Sequence, residues 1–272
     1  MTWPRCSGPR PMSADASSRI RLETNAGVAW LTLNRPDKRN ALDSATVAAL
    51  KSAILDLDRD DDVRVMVLRG AGPDFCAGAD LEQLERIAAS ADPLENVADA
   101  DELGALFILM RRARTPIIAA IHGHAIAGGA GLATACDMIV AAESATFGYP
   151  EVHLGFVPAM VTALLRRALG EKRIFELIAM GGTFGAAEAK DWGLVARVFP
   201  DDSFNVDVKA FAGSLATRSA SALQLCKRLL YGLDSLAFED AIARGAELNA
   251  IARATPDCQA GVRRFLDRKK GN

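Results

Sequence analysis

The chain has 272 residues, 50% hydrophobic and 24% charged, with a formal net charge of -2 and a pI near 6.0. That length holds one large domain with a substantial core, and the charge balance gives no pull toward nucleic acid or an anionic membrane surface. No apolar run reaches the roughly 20 residues needed to cross a bilayer, and the five cysteines (Cys6, Cys76, Cys136, Cys226, Cys258) are odd in number and scattered without CxxC spacing, so neither a disulfide framework nor a zinc site is indicated. A reducing cytoplasm is the expected location. Residues 1–18 are rich in Pro, Ser and Arg and lack an apolar secretory core, so they are expected to be a disordered tail. Met12 is an alternative start.

Ile20 to Leu22 and Val28 to Leu33 read as strands around the turn Asn25-Ala26-Gly27. The segment NRPDKRNAL then leaves the sheet, and Asp43 or Ser44 caps a helix to about Asp58 with Val47, Leu50, Ile54 and Leu57 on one face. A strand follows from Val63 to Leu68, then the loop GAGPDFCAGADL, which opens a helix near Asp80. Ala88 to Asp101 is polar and is expected to be mobile. Glu102 to Arg114 is expected to be a helix with Leu103, Leu106, Phe107 and Met110 inward. Ile117 to Ile121 is a strand that turns at Gly123 and passes Gly128, Gly129 and Gly131 into a buried helix over Leu132 to Cys136. Met138 to Ala141 is a further strand, and Ala145 to Glu151 a short strand or loop. Beyond Pro158 the chain is mainly helical: Val161 to Leu169, Lys172 to Met180, Ala186 to Trp192, Val206 to Arg218, Ala220 to Leu230, Leu236 to Ala252 and Pro256 to Lys270, with one short strand from Gly193 to Val198. Strands that repeatedly run into glycine loops opening helices make an α/β architecture with its loops on one side of the sheet.

Three glycines over four positions, Gly128 to Gly131, let a ligand reach the main chain at a helix start, where unpaired N–H groups attract negative charge. The alternative use of the same glycines is a tight helix–helix contact. A second strand-to-helix loop, CAGAD at Cys76, offers the same kind of donors. Two such N–H groups aimed at one point make an oxyanion hole, worth roughly 3–4 kcal/mol per donor in a dry site, and Ala79 and Gly128 are the best placed.

RPDKRNAL (Arg35 to Leu42), FCAGADL (Phe75 to Leu81), HGHAIAGGAGLATACD (His122 to Asp137), ATFGYPEVHLG (Ala145 to Gly155) and GVRRFLDRKK (Gly261 to Lys270), in that order, resemble the crotonase family, that is, the enoyl-CoA hydratase/isomerase family. The resemblance runs from about Ile20 to Lys270. It implies a spiral of repeated ββα units over residues 19–200, with a C-terminal helical trimerisation region over 201–272. It also implies trimers or dimers of trimers that bind an acyl-CoA thioester and hold its carbonyl, as an enolate, on the N–H groups of Ala79 and Gly128. By the same resemblance Lys38 and Ala41 approach the adenine and phosphates. Ala77, Asp80 and Leu81, with Gly129 and Gly131, border the bound acyl-CoA, and Phe265 and Arg268 reach a neighbouring subunit's CoA. Coenzyme A arrives as part of the substrate; no separate cofactor, metal, nucleic acid or membrane is expected.

Hydratases of the family use two glutamates. The second is present as Glu151, the catalytic candidate, whereas the first position is Gly131. That departure leaves single-base double-bond isomerisation, or hydration with another second group, as open readings. His153 is an unconventional candidate for the second group, with packing as its plainer role. His122, His124, Glu143 and Asp80 read as structural, Asp80 as a helix cap. A dinucleotide site fits poorly, because Gly129-Ala130-Gly131-Leu132-Ala133-Thr134 has Thr where a third glycine is needed. The basic clusters Arg111-Arg112-Ala113-Arg114 and Arg166-Arg167 with Lys172-Arg173 lack the aromatic set of an RNA surface.

Overall fold

The computed structural model describes residues 19–90 and 92–270; the expected N-terminal tail lies outside them. Ile20–Asn25 (β1), exposed beyond Ile20, and Val28–Leu33 (β2), buried at all but Trp30, pair antiparallel across the Ala26-Gly27 turn, with Ile20 opposite Leu33. Four parallel strands extend this hairpin in the order β1-β2-β3-β4-β6-β9: Val65–Gly70 (β3), Ile117–Ile121 (β4), Met138–Ala142 (β6) and Arg197–Phe199 (β9). β4 is buried at every position, as a strand covered on both faces must be. A second sheet of three short strands, β5-β7-β8, holds His124–Ile126 (β5), Thr146–Gly148 (β7) and Thr183–Gly185 (β8). Of the three-residue strands, β7 and β9 overlap expected segments, whereas β5 and β8 carry too little periodicity and were not expected.

Ser44–Arg59 (α1) starts at Asp43, whose side chain accepts the Thr46 N–H, and buries Val47, Leu50 and Ile54. Leu81–Ala88 (α2) is capped by Asp80, which accepts the Glu82 and Gln83 N–H groups. The expected mobile stretch is instead helical over most of its length: Pro93–Arg112 (α3) is one 20-residue helix. Asp92 caps it with Pro93 in the first turn, and its polar face is held by Gln83 to Asp99 (2.7 Å) and Lys51 to Glu102 (2.6 Å). Gly128–Ala135 (α4) begins at the first of the three glycines, four residues earlier than expected. Ala159–Leu165 (α5), Glu171–Met180 (α6), Ala186–Asp191 (α7) and Phe204–Ala216 (α8) follow, and then Ala220–Gly232 (α9), Phe238–Ala254 (α10) and Pro256–Lys270 (α11). α8 packs on the main sheet against β2, β3 and β6, whereas α9, α10 and α11 pack mainly on one another.

One buried polar contact ties that C-terminal group to the core. Lys227 on α9 reaches Asp137 (2.8 Å) and the carbonyl oxygens of Met110 (2.9 Å) and Thr115 (3.2 Å), while Tyr231 donates to the other oxygen of Asp137 (2.7 Å). Every donor of the lysine head is answered, the condition under which a buried ammonium is tolerated.

Candidate active site

Two loops meet at the C-terminal side of β3 and β4. The chain from Phe75 to Cys76 runs beside β5: Cys76 N–H donates to His124 O and Ile126 N–H to Cys76 O, each at 3.0 Å. Position 129 must then be glycine, because a Cβ there would lie 2.3 Å from the Cys76 carbonyl oxygen. Gly78, at φ +98, makes the next turn, and its own Cβ position is 3.3 Å from Gly128 N. A Cβ at Gly128 would in turn stand 3.7 Å from Ala79 N. The main-chain N–H groups of Ala79 and Gly128 therefore lie side by side.

Among the described residues neither has a main-chain acceptor. Leu42 pairs with the flanking residues, accepting from Asp80 N–H (2.9 Å) and donating to Gly78 O (2.7 Å), which passes over the Ala79 N–H. Gly128 opens α4, whose first internal bond is Gly131 N–H to Ala127 O at 2.9 Å, so its N–H is one of the orphan donors of a helix start. The residue before it, Ala127, holds φ 51 and ψ -123, a region that glycine favours. Its own N–H is fixed to Gly148 O at 2.8 Å. Ala127→Gly is expected to relieve this strain, raising stability by about 1 kcal/mol and Tm by about 2–4 °C; thermal unfolding of the two proteins side by side checks it.

The loops are held by Asn40, Arg35 and Asp74, which sequence reasoning passed over, together with Asp80, His122 and His124, which it read as structural. Asn40, buried at φ 56, donates to Ala71 O and Asp74 O (2.8 Å each) and accepts the Arg35 N–H (2.9 Å). Arg35 donates to Ala41 O (2.7 Å) and Asp80 (2.8 Å). Burial would push the Asp80 carboxyl up, but the Arg35 hydrogen bond and the helix N–H groups outweigh it, and the group sits below the ordinary carboxylate range. Buried Asp74 accepts the His124 N–H (3.1 Å) and its ring Nδ1 (2.5 Å), while His122 Nε2 meets Gly72 O at 2.9 Å. The one available signal was an Asn in a glycine-poor turn, since Asn tolerates the left-handed region. Cys76 beside this loop is no nucleophile: burial pushes its thiol up to about 12.

Glu151 lies on the single turn of 3-10 helix Pro150–Leu154, three residues past the Gly148 that accepts the Ala127 N–H. It is 7% exposed, and its Oε2 has no hydrogen-bond partner among the described residues. Desolvation drives the carboxyl above its ordinary range, only partly opposed by its own main-chain N–H. The neighbouring Tyr149 hydroxyl, 3.5 Å from Thr134 Oγ1, is pushed up to about 12 by burial, with a further contribution from the Glu151 charge. A buried carboxylate left unpaired is costly.

One turn along α4 from Gly128, position 131 is closed. A Cβ there would be 2.5 Å from Val161 Cγ2 and 3.5 Å from Phe107 Cζ, so this glycine serves helix packing. His153, the other group considered, is exposed, with its Nε2 against Gly181 at the end of α6.

The remaining expected contacts divide. Ala77 and Leu81 flank the donor loop, Leu81 exposed, and Ala41 is buried with its carbonyl on Arg35. Exposed Lys38 pairs with Glu82 at 2.5 Å over the start of α2. Phe265 and Arg268 are exposed on α11, which packs against α9 and α10 and away from these loops. Cavities of about 660 Å³ and 560 Å³ are lined by Trp30, Arg69 and His122 and by Arg112, Arg228 and Tyr231 respectively, and neither includes Ala79, Gly128 or Glu151. The basic clusters are largely answered within the protein: Arg111 and Arg167 by Asp234, Arg166 by Glu171, and Arg173 by Glu176.

Comparison with known proteins agrees with this architecture. Residues 23–272 match the family model described as Enoyl-CoA hydratase/isomerase. A Thermus thermophilus protein provisionally named as an enoyl-CoA hydratase is 40% identical over 242 residues, covering 89% of this chain and 95% of its own. The 2,3-dehydroadipyl-CoA hydratase of Escherichia coli is 33% identical over 253 residues, 93% of this chain and 97% of its own. The crystal structure of an enoyl-CoA hydratase from Mycobacterium smegmatis superposes with a TM-score of 0.88 at 30% identity, covering 92% of this chain and 96% of that one. The matches span both glycine loops, the Glu151 turn and the C-terminal helices, and the chain belongs to the enoyl-CoA hydratase/isomerase family.

Proposed function

We propose that the protein moves a double bond along an enoyl-CoA by single-carboxylate proton transfer. The thioester oxygen sits on the N–H groups of Ala79 and Gly128. The Glu151 carboxylate takes a proton from C2 of a 3-enoyl-CoA, the electron pair passes into a dienolate whose oxygen those donors stabilise, and Glu151 returns the proton to C4. The 2-enoyl-CoA leaves and the carboxylate is regenerated, with no water consumed. The observation that carries this reading is the pairing of one buried, unpartnered carboxylate with two unused main-chain donors. The closed position at Gly131 favours it over hydration with two carboxylates. Hydration is the second reading, favoured by the names of the relatives, the Escherichia coli dehydroadipyl-CoA hydratase among them.

Assembly as a homotrimer, or a dimer of trimers, belongs to this proposal and is supported by large apolar side chains left exposed on α10 and α11, Phe238, Ile242, Ile251, Val262 and Phe265. The cytoplasm is the proposed location, supported by the bacterial relatives.

The test is mass spectrometry of 2-enoyl-CoA and 3-enoyl-CoA thioesters incubated with the enzyme in heavy water. Deuterium uptake with double-bond movement supports the single-base reading; addition of one water supports hydration; neither, with CoA thioester still bound, removes both.

A pH dependence follows from the burial of Glu151. The base must be ionised and burial raises its folded value above the ordinary carboxylate range, so kcat/KM is expected to climb through an acid limb displaced upward from that range. Stability runs the opposite way. The folded protein holds this proton more tightly than the unfolded chain, so the contribution is full below the unfolded value and is lost as pH rises through the folded one. Rate and Tm measured across the same pH series check both signs.

A further inference from the structure

We infer that Val161 is a positioning residue, and that the notch at Gly131 in which its Cγ2 sits sets the spacing between the Glu151 carboxylate and the oxyanion donors. This rests on the single-carboxylate reading above. The segment that carries Glu151 is pinned to the donor helix at two points. At its start, Gly148 O accepts the N–H of Ala127, the residue before the Gly128 donor (2.8 Å). At its end, Val161 on α5 meets Gly131, one turn along α4 from the same donor, so closely that a Cβ there would be 2.5 Å from Val161 Cγ2. Glu151 lies between these two points, on a turn closed by Phe156 N–H to Glu151 O (3.0 Å).

The second pin is stiff. Valine has one strongly preferred χ1 in a helix and no flexible end to swing aside. Val161 and Phe107 are both buried, and Val161 has a neighbour in a parallel notch, since a Cβ at Gly104 of α3 would be 3.3 Å from Met160 Sδ. α5 is thus seated against α3 and α4 by two glycines. A displacement of α5 passes to the Glu151 turn, because the chain between them is short and its other end is fixed at Gly148. The same closeness explains why position 131 carries no second acid: the volume a side chain would need belongs to the device that places the first one.

The test compares Gly131→Ala, Val161→Ala and the double variant by steady-state kinetics over pH on the substrate found active. Gly131→Ala should lower kcat by up to about 100-fold, the scale of a misplacement near 1 Å, with KM within about threefold, and should move the acid limb of kcat/KM because the Glu151 environment changes. The double variant adds one methyl where it removes two, and should recover kcat to within about fivefold of the parent. Unchanged kcat and acid limb in Gly131→Ala, or a double variant no better than the single, overturns the inference. Should Gly131→Ala fail to fold, Val161→Ala decides alone: it empties the notch without overpacking, a loss of kcat with a moved acid limb is the supporting result, and unchanged kinetics with only a lower Tm overturns it. Full activity in Glu151→Gln would instead overturn the single-carboxylate reading, so the two failures are distinguishable.

Discussion

Glu151→Gln is expected to lower kcat by about 10³-fold or more, within the range for loss of a positioned acid–base group, while the Kd for an acyl-CoA stays within a few fold. The substitution keeps the shape and removes the proton shuttle, and the Ala79 and Gly128 donors are main-chain groups that it leaves in place. It should also raise stability above neutral pH. The glutamine amide meets the same spot without a partner, so the gain comes from removing the buried charge, which is costly once the carboxyl ionises. The gain in Tm should shrink as pH falls and the native carboxyl takes up its proton. Turnover, ligand titration and thermal unfolding on one preparation separate these effects. Full activity in the variant would remove Glu151 from the mechanism.

Gly129→Ala is expected to be the most damaging single-methyl addition in the donor region. The new Cβ would stand 2.3 Å from the Cys76 carbonyl oxygen, 2.8 Å from its carbon and 2.9 Å from its Cβ. Two of the three are main-chain atoms, so no side chain can swing aside and the loops must part. Ile126 N–H to Cys76 O, at 3.0 Å, is the first bond at risk. A loss of stability of about 3 kcal/mol or more is expected, together with a fall in kcat greater than Gly128→Ala produces. At Gly128 the nearest atom to an added Cβ is Ala79 N at 3.7 Å, ordinary contact, so that variant tests the approach of substrate rather than the union of the loops. Chemical denaturation and kcat for both variants check the ranking; equal stability in the two would show that the loops separate more easily than the distances imply.

Much of this molecule follows from local signals in its sequence. The α1 cap at Asp43, the α2 cap at Asp80, the apolar runs of β2, β3 and β4 and the strand-to-glycine-to-helix passages at Cys76 and Gly128 arise within a few residues of chain, where side-chain period, turn chemistry and capping act directly. Those passages also fixed which main-chain donors the site can offer. The start of α3 was hidden because its Asp92-Pro93 cap sits in a polar stretch whose partners, Gln83, Lys51 and Arg86, are supplied by other elements. β5 and β8 exist because their neighbours pair with them, not because three residues carry a pattern.

The site divides the same way. That Glu151 is the candidate base was legible from its motif; that it is buried with an unpartnered oxygen was not, because desolvation is a property of everything packed around it. Asn40 and Asp74 are distant in sequence from most of the groups they hold and gave little local sign of it. Gly131 is the clearest case. The sequence left its glycine open between ligand approach and helix packing, since absence of a side chain serves both equally. Only the tertiary structure decides, by placing Val161 and Phe107 over it: close packing admits one occupant per volume, and here that occupant is another helix.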